Sequence, residues 1–472
     1  MTRADSLIQE LIEIVGTRGV LYRKEDLLAY ECDAYTIHRG MPRAVVFPAT
    51  TEEVAGVVKH LHKQRIPFLP RGAGTGLSGG AIPIGGEVII SLVRMKKLLH
   101  VDLENRLAIV QPGFVNLKLT HSISDKGYYY APDPSSQYAC TIGGNVAENA
   151  GGAHCLKYGV TTNHILGLEV VLPNGEIIEL GGVPDMPGYD LIGLLTGSEG
   201  TLGIVTKITV RILKNPEDKK TVLAYFDEVE DASYAVSDII AAGIVPAALE
   251  MMDTVAIEGV ECGTYPVGHP PGLKALLLIE VDGIAAGIDE QIDEIVAVCR
   301  RRNVLEVRVA RDEAERGRWW ANRKTAFAAM GTISPDYLVQ DGVIPRSRLP
   351  EVLNEIRQIS ETSGLRIANV FHAGDGNLHP LILFDARKPG ETELAVNVGS
   401  AVLRVCADAG GTITGEHGVG IEKKEEMRYV FTGEEIEAQT RVREVFNPDH
   451  LLNPDKLFPK PGRCAEMGII RE

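Results

Sequence analysis

Pro70-Arg71-Gly72-Ala73-Gly74-Thr75-Gly76-Leu77-Ser78-Gly79-Gly80 is the stretch on which the fold turns. Inside it, Gly74 to Gly79 spells G-x-G-x-x-G, the dinucleotide fingerprint. That motif works only where a helix opens at the glycines and turns its N-terminus toward a pyrophosphate. Here Ala81-Ile82-Pro83-Ile84-Gly85-Gly86 follows, and then an apolar run, Val88–Leu92, that reads as a strand. No helix fits between them, so a nicotinamide-binding Rossmann unit is excluded. What remains is a loop of bare backbone N–H groups that tolerates positive φ and close approach, a concave nest for an anion. Arg71 adds positive charge beside it.

Outward from the loop, residues 43–48 and 66–69 read as strands, and Thr50 with Glu53 forms a capping-box pattern that opens a helix to about Gln64. Downstream, 88–92, 107–112, 166–172, 176–180 and 204–213 read as further strands. Two more glycine clusters lie among them. Thr141-Ile142-Gly143-Gly144-Asn145-Val146-Ala147-Glu148-Asn149-Ala150-Gly151-Gly152 follows Ala131-Pro132-Asp133-Pro134-Ser135-Ser136, and Gly197-Ser198-Glu199-Gly200-Thr201-Leu202-Gly203-Ile204-Val205 leads into a strand. Small residues over such lengths let a large flat ligand lie against the backbone, with Asn, Ser and Thr bonding to its edges. The polar run Asn215–Lys220 marks a boundary. Beyond it, strands at 222–226 and 276–281 alternate with helices at 232–242 and 286–301, predicting a sheet covered by helices on one face.

The whole chain has 472 residues, enough for two domains, with 44% hydrophobic and 24% charged residues. A net charge of −16 without any Lys/Arg block argues against a nucleic-acid partner. Seven cysteines are scattered with no C-x-x-C pair, which excludes a disulfide framework or a cluster site within the chain and suits a reducing cytoplasm. Asp5, Glu10 and Glu13 interrupt the apolar positions of the first helix, so it does not read as a signal peptide, and no run approaches the roughly 18 apolar residues of a membrane span. Direct membrane insertion is not expected; peripheral contact would go through a partner subunit.

Candidate chemistry sits in Asn369-Val370-Phe371-His372-Ala373-Gly374-Asp375-Gly376-Asn377-Leu378-His379-Pro380. Asp375-Gly376 between apolar runs signals a two-residue hairpin, which would pair His372 directly with His379 on one face. Two converging imidazoles could hold an ion or form a plain hydrogen-bonded pair. Gly415-Glu416-His417-Gly418 offers a third ligand and a base, which favours the ion site.

Taken together, the three glycine segments resemble the FAD domain of the vanillyl-alcohol-oxidase (PCMH-type) flavoproteins. H-x-G-D-G-N-x-H and G-E-H-G resemble the C-terminal domain of the FAD-linked 2-hydroxy-acid dehydrogenases, such as glycolate oxidase FAD subunits and D-lactate dehydrogenases. Asn322-Arg323-Lys324, Asp341-Gly342-Val343-Ile344-Pro345 and Leu451-Leu452-Asn453-Pro454 extend the likeness along nearly the whole chain. The resemblance implies an α+β chain: an N-terminal helical segment (residues 1–40), a PCMH-type FAD-binding domain of two α/β subdomains (41–216), a ferredoxin-like substrate and metal domain with a C-terminal helical segment (217–445), and a tail returning to the flavin (446–472).

It implies further that Arg71–Gly76 holds the pyrophosphate, with Pro70, Ser78, Gly79, Pro132, Asp133, Ser136, Thr141–Asn145, Ala147, Asn149–Gly151, Gly159, Glu199, Gly200, Gly203–Val205 and Asn453 around the remainder of FAD. Ala73 and Thr75 stand where covalent relatives carry a flavin-linking His, so non-covalent FAD is expected. By the same resemblance His372, His379 and Glu416 bind a divalent metal (zinc, or manganese or iron), His417 is the catalytic base and Arg323 takes a substrate carboxylate. The expected reaction oxidises a small 2-hydroxy acid, glycolate or D-lactate, with hydride to flavin N5 and electrons passed to an iron–sulfur subunit or an electron-transfer flavoprotein. Alternatives are another 2-hydroxy acid such as D-2-hydroxyglutarate, a metal-free alcohol or aldonolactone oxidase, and a non-catalytic flavin subunit. Relatives acting on dicarboxylates carry a lysine near Gln340, which favours a monocarboxylate.

Overall fold

The computed structural model describes residues 3–182 and 188–460. Its first sheet has four strands in the order Val20–Leu21, Ala44–Val46, Val88–Ser91, Phe68–Arg71, and the last three run parallel. Thr50 caps the helix Thr51–Lys63 by accepting the Glu53 N–H, while the Glu53 carboxylate takes the Ala49 N–H at 2.7 Å instead of the Thr50 N–H of a capping box. The helix lays Val54, Val57, Val58 and Leu61 on the sheet, and the first helix, Arg3–Val15, adds Leu7, Leu11 and Val15 to that core. Between Arg71 and Val88 there are turns and bends but no helix, as the sequence requires.

A second, antiparallel sheet follows in the order Leu98–Asp102, Leu107–Val110, Ile204–Arg211, Ile165–Val171, Ile177–Gly181. The second glycine cluster, for which the sequence suggested no element, opens on a helix. Thr141 accepts the Gly144 N–H and caps a short helix, Ile142–Glu148, which ends at Asn149 with φ at 52°. The glycine-to-helix step missing after Gly79 is therefore made here.

The C-terminal half is built on a nine-stranded sheet. Glu306–Val309, Asp218–Phe226, Ala275–Gly283 and Ala248–Asp253 lie side by side in the ferredoxin-like order, and Ile367–His372 extends them from Ala248–Asp253. Strand alternation divides its residues between two cores. Val222, Ala224 and Phe226 pack with four helices, Val229–Ala241, Ile288–Arg301, Leu349–Ser363 and Glu391–Asp408. Leu223 and Tyr225 face a second core of Ala256, Ile257, Val260, Trp319, Trp320 and Ala326. Helices thus cover both faces, not one as expected, because the sequence reading had no element for Thr254–Glu261 or for Glu313–Lys324.

The chain then returns to the first sheet. Leu452 bridges Phe68 in parallel, the Phe68 N–H donates to Leu451 O at 2.9 Å, and the Asn453 N–H donates to Phe68 O at 2.8 Å. Among the described residues no helix is long and apolar enough to cross a membrane, and Cys32, Cys140, Cys155, Cys262, Cys299 and Cys406 are unpaired. Cys464 and the rest of the expected tail beyond Lys460 lie outside the described residues.

Candidate active site

A cleft of about 310 Å³ runs along the three glycine segments, and Phe327, His379, Glu416 and His417 also line it. Its size is that of a ligand site. The segments interlock where side chains are missing: a methyl on Gly72 would lie 2.6 Å from Thr141 Oγ1, and one on Gly200 would lie 2.5 Å from Pro70 Cγ. Pro70–Gly76, Ser136, Thr141, Gly143–Asn145, Ala147, Ala150, Glu199, Gly200 and Gly203–Val205, residues that the resemblance assigns to FAD, all line the cleft. Bare backbone at Gly72–Gly76 suits phosphate oxygens, and Gly143, Gly144, Ala147 and Ala150 leave room for a flat ring, so the lining fits a flavin dinucleotide.

Other predicted residues do not line it. Ile142 is packed in the core of the antiparallel sheet, and Asn149 caps its helix and accepts the Thr162 N–H. Asp133 bonds to His154, and Pro132 O accepts from Asn116. Gly159 faces Asn163, Gly151 faces Glu416 and Cys155, and Gly79 faces Ile421. Ser78 O accepts the Ile421 N–H. Asn453 supports the cleft from behind, its Nδ2 donating to Gly80 O at 3.1 Å and Glu199 O at 2.8 Å. Arg71 lines the cleft, but its guanidinium donates to Cys32 O at 2.8 Å and Ala81 O at 3.1 Å, so it braces the loop where free anion-binding charge was expected.

The histidine hairpin has another register than predicted. His372 pairs with Asn377 and Asn369 with Pro380 across a four-residue turn, Ala373–Gly376. A two-residue Asp-Gly turn of type I′ requires positive φ at both positions. Gly376 has φ at 81° but Asp375 is not among the positive-φ residues, and its Oδ1 instead accepts the Asn377 N–H at 3.1 Å. His372 and His379 are therefore diagonal neighbours on one face. Their rings still converge, with centroids 5.0 Å apart.

Glu416 Oε1 lies 3.2 Å from His372 Nε2 and 3.3 Å from His379 Nε2. Asp341, His379, Glu416 and His417 each bring a ligand atom within 4.8 Å of the others. Burial opposes ionisation of Glu416, but the imidazoles of His372, His379 and His417 outweigh it and pull the carboxyl down to about 2. His379 Nε2 is buried without a hydrogen bond. Two imidazoles, a carboxylate and an unsatisfied ring nitrogen are a donor set that fits a divalent transition metal.

Asp341 holds the Glu-His loop in shape. Its Oδ2 accepts from Thr414 Oγ1 at 2.6 Å and from the N–H groups of Gly415, Glu416 and His417 at 2.9, 3.1 and 2.9 Å. Buried Lys423 stands behind it, Nζ 3.6 Å from Oδ2. His417 is stacked obliquely on His379 with centroids 4.7 Å apart, and its Nδ1 is buried without a partner. Burial, offset by Asp341 and reinforced by His379, pushes its imidazole down to about 4, which leaves it neutral near pH 7.

Arg323 is 5% exposed on the helix Glu313–Lys324, not the surface residue of a solvated helix. It does not line the cleft. It pairs with buried Glu250, which also takes His372 Nδ1 at 2.7 Å. Glu250 escaped the sequence reading altogether; the available signal was a lone acidic residue in the apolar run Ala248-Leu249-Glu250-Met251-Met252. Asp341 entered that reading without a role. Gln340 is buried against Gly399, donates to Glu422 at 3.1 Å and does not line the cleft.

Residues 215–457 match the family model described as FAD linked oxidases, C-terminal domain, and residues 42–181 match the FAD binding domain. The chain belongs to the FAD-linked oxidases. Among relatives of this family, the glycolate oxidase subunit GlcD of Escherichia coli (strain K12) is 47% identical over 466 residues, 98% of this chain and 93% of the relative. The subunit of the same name from Bacillus subtilis (strain 168) is 38% identical, covering 96% and 97%. A D-lactate dehydrogenase from Anaerostipes hadrus is 34% identical, again covering 96% and 97%. p-Cresol methylhydroxylase, solved with substrate bound, shares the fold at 18% identity, with a TM-score of 0.82 over 97% of each chain. The fold of this FAD-linked oxidase is thus the PCMH-type α+β fold expected from its sequence, and the protein is an FAD-dependent oxidoreductase.

Proposed function

We propose that this FAD-linked oxidase oxidises a small 2-hydroxy acid, glycolate or D-lactate, to the 2-oxo acid. The observation that carries the reading is that His379, Glu416 and His417 line the same cleft as the three glycine segments. A substrate carbon and a flat ring can therefore meet beside a base. Relatives named glycolate oxidase subunit and D-lactate dehydrogenase support the substrate class.

FAD, held without a covalent bond along Pro70–Gly76, Thr141, Gly143–Asn145, Ala147, Ala150, Glu199, Gly200 and Gly203–Val205, supplies the hydride acceptor when bound. A divalent ion held by His372, His379 and Glu416 would polarise the substrate hydroxyl. Neutral His417 takes the hydroxyl proton, since an imidazole pushed below its ordinary value by burial is ready to accept one. Arg323 holds Glu250 from outside the cleft lining, so the substrate-carboxylate role implied by the resemblance is not assigned to it. Glu250 restrains both Arg323 and His372, so the two orient together. Electrons then leave to a partner protein, in keeping with relatives named as subunits.

Anaerobic mixing with glycolate, D-lactate and L-lactate tests the reading. Bleaching of the flavin band by one of the first two is expected. A bound flavin that no 2-hydroxy acid bleaches would remove the substrate assignment and leave the fold untouched.

A further inference from the structure

Gly151 and Gly152 end the second glycine segment outside the cleft lining, where room for a flat ring gives no reason for glycine. Gly152 has a reason of its own: its φ is 141°, and a methyl on it would lie 2.6 Å from the Asp133 backbone. Gly151 is not among the residues with positive φ, so its own conformation does not call for glycine. What bars a side chain is the space in front of it. A methyl there would lie 2.7 Å from Glu416 Oε2, 3.4 Å from Glu416 Cβ and 2.8 Å from Cys155 Sγ.

The tip of a free glutamate would swing aside at little cost, but Glu416 is not free. Its Oε1 lies between His372 Nε2 at 3.2 Å and His379 Nε2 at 3.3 Å, and its N–H donates to Asp341 Oδ2 at 3.1 Å. The two oxygens share one rigid plane, so pushing Oε2 away turns Oε1 out of its place between the imidazoles. Nor can the glycine retreat. The Ala150 carbonyl accepts both the N–H of buried Thr161 at 3.0 Å and its hydroxyl at 2.6 Å, and the Ala150 N–H donates to Asn145 O at 3.0 Å. On the other side Gly152 is packed against Asp133. Cys155 is the softer of the two neighbours, a weakly bonding thiol that can turn about a single χ angle. The crowding therefore falls on the carboxylate.

We propose that Gly151 is a positioning residue for the histidine site: its missing side chain admits Glu416 to its place between His372 and His379. The segment whose Ala150 lines the cleft thus also sets the geometry of the ligand set. This rests on the reading of His372, His379 and Glu416 as an ion site.

The test follows zinc uptake, FAD uptake and thermal melting of the metal-free full chain in Gly151→Ala, Glu416→Ala and the double variant. Gly151→Ala is expected to take up FAD as wild type does and to bind zinc about 10–100-fold more weakly, the scale on which groups that orient a ligand act. It should also melt below wild type, as overpacked sites do. In the Glu416→Ala background the same change should cost little, because the carboxylate it strikes is gone. An equal loss of melting temperature in both backgrounds would place the crowding on Cys155 or the backbone and overturn the proposal. Unchanged zinc affinity in Gly151→Ala would overturn it too, as would FAD binding weakened in step with zinc. If Gly151→Ala does not fold, the double variant decides: it should fold and take up FAD, and its failure would overturn the proposal. Wild-type protein that takes up no zinc would overturn the ion-site reading, an outcome distinct from the others because the melting comparison uses no metal.

Discussion

Glu250 stands directly across from His372 in adjacent strands, and its Oε1 lies 2.7 Å from the imidazole Nδ1. Strand partners share a face, so register alone brings them together. With Nδ1 occupied, Nε2 is the nitrogen left to face Glu416 at 3.2 Å. Carboxylates in this position orient a metal-binding histidine and typically account for about 10–100-fold in affinity. Glu250→Ala should lose divalent metal by roughly that factor while keeping the flavin spectrum, as metal analysis of the purified variant would show. Chelator treatment of wild type should likewise abolish substrate reduction of the flavin and leave FAD bound. Full turnover after complete metal removal would point instead to a metal-free oxidase.

Asp341 gathers a hydroxyl and three backbone N–H groups onto one buried oxygen, with Lys423 behind. An amide in its place removes the nearer of two carboxylates beside Lys423, Glu422 lying 3.8 Å away, and breaking a buried pair costs about 3–5 kcal/mol. Asp341→Asn should melt at lower temperature and lose flavin reduction, because the loop that carries Glu416 and His417 loses its anchor. A thermal melt and an anaerobic stopped-flow trace check the two effects separately.

His417→Ala should retain FAD and lose substrate reduction by roughly 10²–10⁴, the usual contribution of a general base. Reduction of the bound flavin by dithionite should be unaffected, which isolates the defect to proton removal from substrate. A variant that still reduces flavin at the wild-type rate would free His417 of this role.

The seam between the two matched regions turns on His154, whose Nδ1 lies 2.9 Å from Asp133 and whose ring stacks on Trp320. Burial disfavours its charge, but Asp133 and then Glu280 outweigh burial and raise it from 6.5 to about 10. A raised imidazole stabilises the fold fully below its unfolded value and stops doing so as pH climbs through the folded one. Wild-type stability should therefore decline between about pH 6.5 and 10. In His154→Gln that slope should vanish, with lower stability at neutral pH; melting curves across the window test it.

The first glycine loop was legible because its neighbours excluded a helix, a purely local argument. The histidine pair was legible in outcome but not in geometry. The turn at Asp375-Gly376 depends on which residues take positive φ, and Asp375 closes a side-chain turn on the Asn377 N–H instead. Convergence of His372 and His379 survived the error because diagonal positions share a face as directly opposed ones do. The roles of Glu250, Asp341 and Lys423 were invisible for a different reason. Each acts through partners far away in the chain, and a charged residue in an apolar run says only that some partner exists. Arg71 shows a related limit: it lines the cleft beside the nest, but its hydrogen bonds to the Cys32 and Ala81 carbonyls could not be read from the sequence.

The bridge between Phe68 and Leu452 has a consequence for how the protein is made. The strands of the nucleotide-binding sheet are made about 360 residues before the segment that pairs with Phe68 and carries Asn453 beneath the Gly80 and Glu199 carbonyls (Leu452 against Ser91). Domains generally form as they are synthesised, and contacts of great sequence separation form slowly. The cleft is therefore outlined by the strands made first and locked only after the whole histidine-bearing half has been made.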